Sequence, residues 1–132
     1  MRLFVLDDDG VDELTDGGQP IVRVAAPDLK YASRVRSRIR DGADDLAVVL
    51  DITVAVAGDF RSAHRALAAA AESDTVHYAG TIDGLVGLIA DIETAGVADG
   101  VTLIPVTDGD DARALGRNVL ARLALRHQAR AS

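Results

Sequence analysis

From Leu46 to Ala57 the chain is apolar at almost every position, with Val48, Val49, Ile52, Val54 and Val56 packed into it. β-Branched residues at that density favour extended backbone. The apolar positions are nearly continuous, so the run reads as a strand covered on both faces rather than one with a wet face. Gly58 and Asp59 close it. This run constrains the fold more than any other, because both of its faces need cover.

The flanking sequence offers that cover as amphipathic helices alternating with short strands. Arg2 to Leu6 reads as a strand ending in the acidic turn Asp7-Asp8-Asp9-Gly10, and Asp16 to Pro20 as a loop. Ile21 to Ala25 is a second strand. Pro27-Asp28 starts a helix to about Arg40, with Leu29, Ala32, Val35 and Ile39 on one stripe. Asp59 caps a helix running through Glu72. Thr75 to Tyr78 reads as a weak short strand or an extended loop. Thr81 is the N-cap of a helix whose stripe is Ile82, Leu85, Ile89 and Ile92. Gly96 suits the left-handed residue after that helix. Val101 to Val106 is a buried-type strand, and Asp110 to about Arg126 the last helix. Alternation of this kind predicts one α/β domain over residues 1–132 with a mostly parallel sheet.

Composition removes several function classes. The chain has no cysteine, which excludes disulfides, thiol nucleophiles and cysteine-ligated metals. A net charge of −7 argues against nucleic acid or an anionic membrane as the main partner. Aromatics are 3 % of the chain, too few for a stacking platform. Asp51 interrupts the longest apolar run, so no transmembrane helix is expected. The N-terminus turns acidic at Asp7, too soon for a signal peptide, and a cytoplasmic location is the expectation.

The stretch from Tyr78 to Leu125 is more specific than its elements require. It reads Tyr78-Ala79-Gly80-Thr81, a helix, then Ala95-Gly96-Val97-Ala98-Asp99-Gly100, an apolar strand ending at Pro105-Val106, and a closing helix. This resembles the C-terminal part of the luciferase-like flavin-dependent monooxygenases, over about residues 44–125. Ala121 and Ile82 stand where that family usually has proline. The resemblance implies the C-terminal part of a (β/α)₈ TIM barrel and a flavin, FMN or a deazaflavin. It also implies a flavin-linked oxidoreductase or its remnant, not catalytically complete alone, because most flavin-holding residues of the family lie on earlier strands.

Gly80 and Thr81 are candidate cofactor-binding residues, because a helix start presents N–H groups to a phosphate. An ordinary cap is the simpler alternative. His77 is the one histidine near a strand end and could act as an acid/base or hydrogen-bond a ligand, with a structural role as the simpler alternative. His64 and His127 share no metal spacing with it, and no metal site is expected. Asp7 and Asp9 mimic the strand end of magnesium-dependent phosphatases, with Asp110-Asp111 as a distal acidic pair and Lys30 the only lysine. A solvated turn explains the same residues. Arg34, Arg36, Arg38 and Arg40 could hold a phosphate, or pair with nearby aspartates.

Four or five strands cannot close an eight-stranded barrel, so the expected partner is a second copy in a homodimer. A longer luciferase-like subunit is the alternative. A non-catalytic interaction or assembly module is the alternative function.

Overall fold

The structure, a computed structural model, describes residues 1–7, 10–42, 45–70, 75–106 and 112–131. Along the chain lie β1 (Arg2–Asp7), β2 (Gly10–Glu13), β3 (Ile21–Val24), α1 (Leu29–Gly42), β4 (Ala47–Val56) and α2 (Phe60–Ala70). They are followed by β5 (Val76–Gly80), α3 (Ile82–Ala95), β6 (Gly100–Pro105) and α4 (Ala112–Ala131). The expected α/β class holds, and the sheet is mixed and strongly curled. β2 is the addition: it pairs antiparallel with β1, opposing Phe4 to Glu13 and Asp7 to Gly10. Four residues containing two acids give no strand pattern that sequence alone could show.

The strand order is β2-β1-β6-β4-β3, with β5 also on β4. All pairings except β1–β2 are parallel. β3 pairs with Ala47 to Leu50 and β5 with Ile52 to Val56, so two short strands lie end to end along one edge of β4. β6 lines the other edge. In a (β/α)₈ barrel each strand neighbours the next in sequence. Here β4 separates β5 from β6.

One sheet face carries Leu3, Val5, Val101, Leu103, Val48, Leu50, Ile52 and Val54, and packs with α1, α3 and α4 into the main core. The expected stripe Leu29, Ala32, Val35 and Ile39 of α1 lies against it. So does the stripe of α3. The step from β4 to β5 reverses the direction of the step from β3 to β4. Right-handed crossovers then place α2 on the opposite face from α1, where it packs on β5 and β4. That opposite face is not left open. Phe4, Ala47, Val49, Ala55 and Thr102 on it are all buried within a single chain. The large apolar side chains exposed among the described residues are Val11, Tyr31 and Leu125, on three separate elements. No described helix is long and apolar enough to cross a membrane.

Candidate functional site

Both ends of α3 follow from local residue chemistry. At its start, Thr81 has extended backbone and its Oγ1 accepts from the Gly84 N–H at 3.3 Å. Asp83 sits in the first turn, where negative charge suits the helix dipole. Tyr78 lies across this turn, its hydroxyl donating to the Thr81 carbonyl at 2.7 Å. A Cβ on Gly80 would fall 2.5 Å from that hydroxyl, and one on Gly84 closer still. The two glycines therefore make room for the tyrosine. Burial raises the phenol of Tyr78 above its ordinary value. As folded, the Tyr78 hydroxyl and ring edge take the space beside Gly80 and Gly84, which leaves a flavin phosphate little room there.

His77 is not brought to this turn. Neighbouring residues of a strand point to opposite faces, so with Tyr78 at the α3 start, His77 projects from the other side of the sheet. It is exposed and sits in register with Thr53. That side holds a row of polar groups that sequence reasoning missed. Asp51 and Thr53 are buried on β4. Arg23 of β3 donates to both carboxylate oxygens of Asp51, at 3.0 and 2.9 Å. Thr53 shares a hydrogen bond of 2.5 Å with Thr75. Thr102 of β6 opposes Asp51, is fully buried, and its hydroxyl has no hydrogen-bond partner among the described residues. The signal was present as a period of two, Asp51 and Thr53, inside an otherwise apolar strand.

The far end of α3 is the more heavily built. Gly96 adopts the left-handed conformation, φ 68°, and donates to Glu93 O, while Val97 N–H reaches back to Ile92 O at 3.0 Å. Asp99 then exchanges contacts with β4: its N–H donates to Val48 O, and its Oδ2 accepts from Val48 N–H at 2.9 Å. Its Oδ1 takes Arg36 and Arg40 of α1, both at 2.9 Å. Burial pushes the Asp99 carboxyl up, but the hydrogen bonds from Arg36, Val48 and Arg40 outweigh it and hold it below its ordinary value. At Gly100 a Cβ would lie 2.7 Å from the Arg2 carbonyl oxygen, so only glycine lets β6 approach β1 this closely.

The remaining candidates are dispersed. Asp7 lies 3.6 Å from Arg113, which also pairs with Asp12. Asp9, Asp110 and Asp111 lie outside the described residues. Lys30 and His64 are exposed on α1 and α2, and the side chain of His127 lies outside the described set. Among the described residues no group of three or more metal-ligating side chains occurs. The arginines of α1 divide: Arg36 and Arg40 turn inward to Asp99, whereas Arg34 and Arg38 are exposed. Between α3 and α4 a shallow groove of about 350 Å³ is lined by Asp83, Val86, Arg122, Leu125 and Arg126. No protein-family model matches the chain, and no curated protein sequence does.

Proposed function

We propose that this chain is a non-catalytic interaction module, related in sequence to the C-terminal part of the luciferase-like monooxygenases. The observation that carries the reading is Tyr78, whose hydroxyl bonds the Thr81 carbonyl and whose ring covers the helix start that a flavin phosphate would need. The other residues of the resemblance, Gly96, Asp99 and Gly100, serve the fold in the same way: they stop a helix, tie it to β4 and α1, and admit β1. By this reading the family's barrel has no counterpart in the chain's own strand order. The partner is another protein, a second copy or a longer luciferase-like subunit.

The test is titration of FMN and of a deazaflavin with the purified chain, followed by flavin fluorescence. The expected result is an unchanged signal and no oxygen-dependent turnover above a free-flavin control. Stoichiometric quenching that Thr81→Ala weakens would overturn the proposal and restore a flavin site at Gly80 and Thr81.

A further inference from the structure

Charge is distributed unevenly over this molecule. Helix α1 carries Lys30, Arg34, Arg36, Arg38 and Arg40 against Asp41, a local +4 in 14 residues. With −7 overall, the other 118 residues carry −11. The helix is also divided lengthwise. Its inner side packs Leu29, Ala32, Val35 and Ile39 on the core and spends Arg36 and Arg40 on Asp99. Its outer side presents Lys30, Tyr31, Arg34 and Arg38, all exposed. Lys30, Arg34 and Arg38 make no ion pair among the described residues. Tyr31 is 48 % exposed, one of three large apolar side chains left in solvent among the described residues.

We infer that the outer face of α1 is a docking surface for an acidic helix of a partner protein. This rests on the reading of the chain as an interaction module. Lys30, Arg34 and Arg38 fall four residues apart, so their charges recur about every 6 Å along one stripe. Carboxylates four residues apart on a facing helix have the same repeat. Tyr31 flanks the stripe, and tyrosine and arginine are among the side chains enriched where binding energy concentrates at protein interfaces. A polyanion such as duplex DNA fits less well, because it extends past the helix and its field meets the net charge of −11 carried by the rest of the chain. A two-fold dimer through this face would set like charges against each other.

The experiment uses the full chain and a fluorescent helical peptide with glutamates at every fourth position and one central leucine, read by anisotropy. A matched peptide with glutamines, a short DNA duplex and anionic vesicles serve as comparators. The expected result is binding of the glutamate peptide that weakens with salt. Arg34→Glu combined with Arg38→Glu should reduce it about tenfold or more, the scale of reversed charges at an interface. Arg61→Glu with Arg65→Glu, the same charge change on exposed positions of α2, should leave it nearly unchanged, and circular dichroism should show both variants folded. Equal binding of the glutamine peptide overturns the inference. So does an equal loss in the α2 variant, or tighter binding to DNA or vesicles. The flavin titration separates the two readings. Stoichiometric flavin uptake removes the module reading itself. Absence of flavin binding together with absence of peptide binding removes only the α1 surface.

Discussion

The two ends of α3 have the same kind of local signature and very different consequences. The start, Gly80-Thr81, is a cap made within a few residues, with its hydrogen bonds exposed. The stop, Gly96 to Gly100, reaches out to four other elements: β4 through Val48, α1 through Arg36 and Arg40, β1 through Arg2, and β6, which it begins. A cap satisfies a helix. A corner that joins four elements decides whether the sheet assembles in register. The difference teaches that a recognisable motif can be a requirement of assembly rather than of chemistry.

That contrast can be broken most forcefully at Gly100. Gly100→Ala sets a Cβ against backbone, which no side-chain rotation relieves, and should cost about 3 kcal/mol, the upper end for overpacking. Urea unfolding measures it, and a cost near zero would mean that β1 and β6 part easily. Asp99→Ala comes next. It leaves two guanidinium groups and the Val48 N–H without their shared acceptor, for a loss of about 2 kcal/mol in a site that solvent partly reaches. Thr81→Ala should cost only about 1 kcal/mol, the usual worth of an N-cap. A cap that proves costlier than Asp99 would reverse the comparison.

Acid sharpens it from another direction. Asp99 is held below its ordinary value, and Glu13 is lowered to about 2 by its hydrogen bonds with Arg2. Both folded values lie below the unfolded ones. The stability these carboxylates contribute is therefore present above their ordinary values and is lost as pH falls below them, for Glu13 toward about 2. The Arg2–Glu13 pair is screened by solvent, so its share is on the order of 1 kcal/mol. In thermal melts across that range, Asp99→Ala should show a shallower decline than the parent chain. A parallel decline would remove Asp99 from the acid response.

What the sequence made legible was local. β4 could be read because its apolar run admits few other conformations. Thr81 and Gly96 could be read because capping depends on residues three or four positions away. Partner choice was not legible. Nothing in Val101 to Val106 says that β6 will lie beside β4 and β1, since that is settled by which faces the helices cover. The arginines of α1 show the same limit. Their spacing is uniform, yet Arg36 and Arg40 turn inward because Asp99, 63 residues from Arg36, arrives there. For the polar row, Asp51 was visible as an interruption, but its partner Arg23 lies 28 residues away. The expected resemblance to a flavin family rested on residues of the α3–β6 corner, and their geometry gives them structural work.

The end-to-end placement of β3 and β5 along β4 divides that edge of the sheet into two short zippers that meet near Asp51. On its other edge β4 is bound to β6 from Val49 to Val54, across the same point. Local opening of a sheet proceeds through its smallest cooperative units. Amide hydrogens that tie β3 to β4 and those that tie β5 to β4 can thus exchange with solvent in separate events, each releasing four or five residue pairs. Those between β4 and β6 should exchange only when the whole domain unfolds. Hydrogen exchange should therefore show one slow spine and two flanks that open separately, and a change confined to one flank should leave the protection of the other intact.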